Sequence, residues 1–221
     1  CSMTTKYLIL TCIMLLTFQV AFSQNPDKSA KVKYNKAVDL ALEKDYDQAL
    51  HNLNLAINAF PKFDQALLER GKIYFKQQKY DMALNDFQKV LDYTENNGEA
   101  NFYMGYLNYK NKEYNSALED FTVAIQSGYK ESMVYYLTGI TNYEIKDYDN
   151  AILNLTMAID NEYDFGYAYH DRAMAKIRKE DYRGAINDFN KAIKYGTELP
   201  FVYNNLGEAQ LSLPDYKKAI E

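Results

Sequence analysis

The sequence is poor in the residues that build reactive centres. Its 221 residues include two cysteines, two histidines and no tryptophan. Nucleophilic catalysis requires a serine or cysteine held beside a histidine or lysine base, and His51 and His170 lie in distant segments that share no motif. A zinc site requires three or four clustered ligands, which no segment supplies. We therefore expect no metal, no cofactor and no enzymatic activity.

Glycine and proline are also scarce, with nine and four residues respectively. Hydrophobic residues make up 48% of the chain and charged residues 25%, a composition typical of a soluble, ordered, helix-rich protein. The formal net charge is −5, and no run of basic residues is longer than two. Because phosphate binding depends on clustered lysine and arginine, the charge argues against a general nucleic-acid-binding protein.

The first two dozen residues differ from the rest of the chain. Lys6 precedes an apolar run over 7–22, and Ala21-Phe22-Ser23 provides the small residues that signal peptidase cleavage requires. The run is short and interrupted for a membrane span of ~20 residues. The pattern therefore predicts a secretory signal peptide over 1–23, followed by a short linker over 24–29. We expect export to the periplasm or cell envelope, with no transmembrane segment left after cleavage.

Cleavage before Gln24 would remove both cysteines, Cys1 and Cys12. The mature chain would then contain no thiol, which excludes disulfides, cysteine catalysis and cysteine metal ligands. A thiol-free chain also suits an oxidising, exported location.

The remainder of the chain is dominated by a strict internal repeat of 34 residues. One column of the repeat is tyrosine: Tyr46, Tyr80, Tyr114, Tyr148, Tyr182 and Tyr216. A second column, three places later, is alanine: Ala49, Ala83, Ala117, Ala151, Ala185 and Ala219. A third is small: Ala37, Gly71, Gly105, Gly139, Ala173 and Gly207. A fixed period of this length indicates a stacked array in which each unit buries its apolar face against its neighbours.

Each repeat contains two helical segments. Ala185, Phe189 and Ala192 are spaced along one helical face, and the polar stretch 178–181 separates this segment from the helix before it. The small column predicts positions where two helices cross closely. Carboxylates at the start of the second helix are predicted to cap its free N–H groups: Asp45, Glu113, Asp147, Asp181 and Asp215.

These columns resemble those of the tetratricopeptide repeat family, whose unit has 34 residues. The fifth unit matches best, through Asp181-Tyr182, Ala185-Ile186, Asp188-Phe189 and Ala192-Ile193. The resemblance implies an all-α, right-handed superhelical solenoid of antiparallel helix pairs. The expected repeats are 30–63, 64–97, 98–131, 132–165, 166–199 and a truncated sixth at 200–221.

Aromatic residues supply the strongest functional signal, because the chain has 22 tyrosines and the repeat column accounts for only six. In the family, first helices line the concave surface, so aromatic and apolar residues there predict a groove for an extended or helical peptide. The predicted groove residues are Phe102, Tyr106, Tyr109, Tyr136, Ile140, Tyr143, His170 and Met174. An alternative for Tyr109 and Tyr143 is that they fill the seam between paired helices. For Phe102, Tyr106 and Tyr136 the alternative is that they belong to the core.

Three functions fit this pattern. The leading hypothesis is a non-catalytic scaffold of the bacterial periplasm or envelope that binds a protein or peptide partner. Because the sequence ends at Glu221, about half-way through a second helix, the array could also be the N-terminal targeting part of a larger envelope protein. The third hypothesis is a module facing glycan or peptidoglycan, since tyrosine rings also stack on sugars. The sequence does not identify the partner or the oligomeric state.

Overall fold

A computed structural model describes residues 25–161, 166–196 and 200–213. Within these residues every regular element is an α-helix. In chain order they are α1 Lys28–Leu42, α2 Tyr46–Ala59, α3 Asp64–Lys76, α4 Tyr80–Tyr93, α5 Gly98–Lys110, α6 Tyr114–Gln126, α7 Ser132–Glu144, α8 Tyr148–Asp160, α9 Gly166–Arg178, α10 Tyr182–Lys194 and α11 Pro200–Leu211. The predicted all-α fold is confirmed. The predicted signal peptide over 1–23 and the end of the truncated repeat, with Tyr216 and Ala219, lie outside the described residues.

The helices belong to two compact units, Cys1–Gln78 and Lys79–Glu221. In the first unit, α1 and α2 form a helical hairpin and α3 packs on α2. Its core contains Ala37, Ala49, Leu53 and Phe63, each at most 2% exposed. α1 starts at Lys28, after the N-cap Asp27, two residues before the array start at residue 30 that the sequence predicts.

The second unit repeats one packing scheme. Helices α5 and α6, α7 and α8, and α9 and α10 form three hairpins, and the second helix of each hairpin packs on the first helix that follows it. We call α5, α7, α9 and α11 the first helices of this unit. Large apolar residues that recur every 34 residues fill the contacts and are fully buried: Phe87, Phe121, Leu155 and Phe189.

The turns inside the pairs share one conformation. The residue two places before each second helix has a positive φ of 60° to 66° although none of these residues is glycine: Lys44, Gln78, Lys112, Lys146 and Glu180. Asp45, Asp147 and Asp181 then cap the helix, each accepting a hydrogen bond from a backbone N–H three residues later. The predicted cap at Glu113 is wrong, because this residue makes no side-chain capping bond. Asp215 lies outside the described residues.

Glycines in the small column permit the closest helix contacts. An ideal Cβ added at Gly105 would lie 2.7 Å from the Phe121 ring, and one at Gly139 would lie 2.6 Å from Leu155 Cγ. Ordinary carbon contacts are ~3.5–4.0 Å, so even a methyl group does not fit without movement. At Gly105 and Gly139 the small column therefore has the packing role that the sequence predicts.

Helix length bears on membrane insertion. None of the helices in the described ranges is both long enough and apolar enough to cross a membrane.

Candidate partner-binding site

The first helices α7 and α9 bring most of the predicted groove residues to one cavity of about 290 Å³. Six of the eight line it: Tyr109, Tyr136, Ile140, Tyr143, His170 and Met174. The spacing of four and seven residues on α7 explains this grouping, because such residues share one face of a helix. Tyr109 comes from the end of α5, so three successive hairpins contribute to the cavity.

Polar groups in the cavity are joined by hydrogen bonds that cross three first helices. Tyr136 Oη on α7 donates to Asp171 Oδ2 on α9 at 2.7 Å. The neighbouring His170 places Nδ1 2.9 Å from Asp171 Oδ1, and its Nε2 lies 3.2 Å from Asn205 Nδ2 on α11. A carboxylate only accepts hydrogen bonds, so Nδ1 donates to Asp171, and Nε2 faces the side-chain amide of Asn205. The imidazole is therefore oriented by a carboxylate and an amide, and not directed at a serine or cysteine.

Tyr109 and Tyr143 pack in the seams of their hairpins and also line the cavity. Their rings lie 5.9 Å and 5.5 Å from those of Tyr114 and Tyr148, the tyrosines that open the following second helices. Each ring thus packs in the seam of its own hairpin. Both side chains also line the cavity, so seam packing and exposure to the cavity are compatible.

Two carboxylates make the cavity acidic. Glu144 is the last residue of α7 and accepts a hydrogen bond from the Tyr114 hydroxyl. Burial, followed by the charge of Glu144, raises the pKa of Tyr109 to about 12. Asp171 has a smaller effect on the same phenol. Within the part of the chain that the structure describes, neither carboxylate forms an ion pair with lysine or arginine.

Two predicted groove residues lie elsewhere. Phe102 is only 6% exposed and packs with Phe121 and Tyr129 at ring distances of 6.3 Å and 5.1 Å. Its placement in an open groove is therefore corrected: Phe102 belongs to the hydrophobic core. Tyr106 is half-buried against the same core cluster and does not line the cavity. The hairpin of the third repeat, α5–α6, which we call the third hairpin as we call α9–α10 the fifth, thus buries Phe102 and half-buries Tyr106, because its first helix carries large rings on more than one face.

Sequence reasoning missed the two acids of the cavity. Asp171 follows His170 directly, and Glu144 follows Tyr143, yet neither belongs to an aromatic column. A signal was present at Glu144, since the equivalent positions one repeat away are Lys110 and Arg178. A lone acid at the C-terminal end of a helix, where the helix dipole favours cations, marks this position as unusual.

The described residues contain no group of three or more histidine, cysteine or acidic side chains placed to hold a metal ion. The cavity offers aromatic faces, two acceptor carboxylates and apolar side chains. This chemistry suits non-covalent recognition of another molecule.

Two segments of the chain match family models. A model described as TPR repeat matches residues 71–112, and one described as tetratricopeptide repeat matches residues 170–221. A search of curated protein sequences finds no match to the chain.

Solved structures of the same fold cover most of the chain. MamA, residues 41 to the end, from Desulfovibrio magneticus RS-1 has a TM-score of 0.68 and 20% identity, covering 80% of this chain and 99% of that one. PilW, a widely conserved type IV pilus biogenesis factor, has a TM-score of 0.68 and 20% identity, covering 88% of this chain and 100% of that one.

A third similar structure is YrrB, described as a TPR protein with an unusual peptide-binding site. Its TM-score is 0.67 at 18% identity, and the match covers 78% of this chain and 89% of YrrB. At such identities the likeness concerns the fold. Together with the 34-residue columns and the helical hairpins, the two matching segments show that the chain contains tetratricopeptide repeats, and the solved structures share its fold.

Proposed function

We propose that the protein is a non-catalytic scaffold that binds a protein or peptide partner on the first helices of its second unit. The observation that carries the proposal is the cavity between α5, α7 and α9, where tyrosine rings and two carboxylates meet. Tyrosine gives a large contact area with little loss of side-chain entropy and is enriched at interfaces. Repeat arrays of this kind generally use their extended surfaces for binding.

Similar structures support a peptide ligand and an envelope setting. YrrB is described by its peptide-binding site and PilW by its part in type IV pilus biogenesis. Because the sequence also predicts a signal peptide over 1–23, we propose that this scaffold lies in the bacterial periplasm or cell envelope.

The location has a direct test. N-terminal sequencing of the protein from a periplasmic extract is expected to begin at or near Gln24, because cleavage follows Ser23. Recovery of the uncleaved chain from the cytoplasm alone would contradict export. So would an uncleaved chain fixed in the inner membrane.

Binding at the cavity is tested by site-specific photo-crosslinking in cells. A photoreactive phenylalanine analogue replaces Tyr143 at the cavity or, as a matched control, Leu153 on the second helix α8, which is 55% exposed. We expect a discrete crosslinked protein from position 143 and none from position 153. Equal crosslinking at both positions would refute a site at the cavity. Crosslinks to glycan in place of protein would favour the glycan-facing module.

Loss of binding is tested separately. Tyr136→Ser and Tyr143→Ser together are expected to abolish the crosslinked complex, because a few aromatic anchors supply most of the interface energy, at ~2 kcal/mol or more each. Since position 143 is then mutated, the complex is detected with the photoreactive residue at position 174. Leu153→Ser with Met157→Ser, both exposed on α8, is the control and should leave the complex intact. Circular dichroism melting of each variant verifies that it is folded.

A further inference from the structure

We infer that the cavity between α5, α7 and α9 is a recognition pocket for a basic side chain, lysine or arginine, of the partner polypeptide. This inference rests on the proposed function, since it names the chemistry of the partner at that site. The observations behind it are an acid at an unfavourable helix position, two carboxylates that form no ion pair with a described lysine or arginine, and aromatic and aliphatic walls.

Glu144 departs from the pattern of its column. α5 and α9 end with Lys110 and Arg178, whereas the last turn of α7 has no basic residue. A carboxylate at the C-terminal end of a helix opposes the helix dipole. Glu144 accepts a hydrogen bond from the Tyr114 hydroxyl, but that neutral donor does not balance its charge. Residues that break a local rule are often found at functional sites.

The equivalent position in the third hairpin shows what a tyrosine of this array can hold. Lys110 Nζ donates to Tyr80 Oη at 2.8 Å and lies 4.1 Å from the centroid of that ring. In the next repeat Tyr114 takes the place of Tyr80 and Glu144 takes the place of Lys110. The chain thus supplies its own ammonium to one tyrosine and replaces it with an acid at the other.

The acids of the cavity retain capacity for a cation. Asp171 accepts hydrogen bonds from Tyr136 and His170, one on each oxygen, and each carboxylate oxygen can accept a second bond. Arg178, the last residue of α9, is exposed and donates to the phenol of Tyr143 at 3.2 Å. It is bound through a tyrosine, and among the residues that the structure describes neither carboxylate forms an ion pair with lysine or arginine.

The walls of the cavity suit the uncharged part of a lysine or arginine side chain. Ile140 and Met174 give an aliphatic lining for the methylene groups, and the rings of Tyr109, Tyr136 and Tyr143 offer faces for a cation–π contact. At about 290 Å³ the cavity is at the low end of ligand pockets, which span roughly 300–1,000 Å³. It therefore suits one long side chain.

The pocket is tested with small probes that need no partner. The basic probes are acetyl-lysine amide and acetyl-arginine amide, whose α-amino and α-carboxyl groups are blocked as in a peptide. They are titrated into the uniformly ¹⁵N-labelled protein. The matched neutral probes are acetyl-norleucine amide and acetyl-citrulline amide. We expect saturable shifts of the backbone amides over 140–144 and 170–174 with the basic probes, and at least threefold weaker binding of the neutral ones.

Three variants sharpen the test. Glu144→Gln should weaken the basic probes about three- to tenfold, and Glu144→Lys should abolish their binding because it supplies the cation within the chain. Glu131→Gln, an exposed acid at the other end of α7 without a capping bond, makes the same charge change and should leave binding unaltered. Melting curves establish that each variant is folded.

Equal binding of norleucine amide, no binding of either basic amide, or an unchanged affinity in Glu144→Gln would each overturn the inference. These outcomes are independent of the proposed function. If the basic amides bind as expected but no protein is crosslinked at position 143, the scaffold proposal fails while the pocket chemistry stands. If a protein is crosslinked and the amides do not bind, only the inference fails.

Discussion

Asp188 and Asp120 occupy equivalent positions two repeats apart, on the second helices α10 and α6, but their surroundings differ in charge. Asp188 is fully buried and accepts hydrogen bonds from Arg172 Nε and Nη2 and from Lys176 Nζ, each at 2.8 Å. Asp120 is half-buried and accepts one from Asn108 Nδ2 at 2.7 Å.

The difference comes from the first helices. In the third hairpin Met104 and Asn108 stand where the fifth has Arg172 and Lys176, so a neutral pair replaces two cations. Burial consequently raises the pKa of Asp120 from 3.8 to about 6, against the opposing effect of the Asn108 hydrogen bond. The fully buried carboxylate is charge-compensated, while the partly exposed one is not. The same helical hairpin thus accommodates a fully buried aspartate paired with two cations or a partly exposed aspartate paired with a neutral amide.

The largest effect on stability is expected from replacing Arg172 on α9 by methionine, the residue at the equivalent position 104 on α5. Arg172→Met removes the bidentate partner of a fully buried carboxylate, and breaking a buried pair on one side typically costs ~3–5 kcal/mol. Urea unfolding followed by circular dichroism measures the change in the free energy of unfolding of the second unit.

Two further variants separate charge from packing at this site. Lys176→Asn, the residue of the third hairpin, should cost less, because Arg172 still pairs with both oxygens of Asp188. Adding Asp188→Asn to Arg172→Met should recover part of the loss, because the fully buried carboxylate is then neutral and only Lys176, whose side chain is 18% exposed, lacks its counter-charge. A double variant as unstable as the single one would show that the loss comes from the arginine's packing.

The same two hairpins differ in the small column, which holds Gly105 in the third and Ala173 in the fifth. Gly105→Ala should destabilise by about 1–3 kcal/mol, because the new methyl would lie 2.7 Å from the buried Phe121 ring. Gly207→Ala is the matched control: no described atom lies within 4 Å of its added Cβ, so helix propensity should stabilise it by up to ~1 kcal/mol. Thermal melting compares the signs. A neutral or stabilising Gly105→Ala would mean that the crossing is not tight.

Asp120 should make stability depend on pH with a defined sign. Its folded pKa of about 6 exceeds the ordinary value of 3.8, so the folded state binds the proton more tightly and is weakened as pH rises from about 4 to 6. Asp120→Asn removes this penalty. We expect it to stabilise by about 1–2 kcal/mol at pH 8, less than the full shift implies because solvent reaches the site, and to have little effect at pH 4.

Asp188→Asn supplies the contrast at pH 8. It should destabilise, because the two cations of its site lose their counter-charge. Equal signs for the two aspartate variants would defeat the distinction between a compensated and an uncompensated acid. Glu119→Gln, an exposed neighbour of Asp120, corrects for the general effect of removing a negative charge.

The helical architecture was predictable because it depends on short-range periodicity. Columns such as Tyr114 and Ala117 recur without slippage, and each described second helix begins at its column tyrosine. Side-chain depth was less predictable. Phe102 and Tyr136 are equivalent in the repeat, yet Phe102 is buried among Phe121 and Tyr129 while Tyr136 reaches the cavity. Which face a ring covers depends on the size of its neighbours on the adjoining helices, and column position alone does not determine this.

The cavity itself was predictable in part for the same reason. Ile140, Tyr143 and Met174 follow from helical spacing along successive first helices. Glu144 and Asp171 do not, because their importance comes from proximity across helices to Tyr109 and Tyr136. Comparing each column for a change of charge sign would have identified Glu144. No such comparison identifies Asp171, since its role arises from the partners His170 and Tyr136.

The smallest effect is expected from an exposed ion pair in the same region. Lys179 Nζ lies 3.0 Å from Asp149 Oδ2, with side chains 45% and 78% exposed. Water solvates both charges, and holding two flexible chains together costs entropy, so exposed pairs contribute ~0–1 kcal/mol. Lys179→Met should therefore change the free energy of unfolding by less than about 0.5 kcal/mol, and 1 M salt should reduce that further. A loss comparable to that of Arg172→Met would mean that burial does not govern the strength of charge pairs in this array.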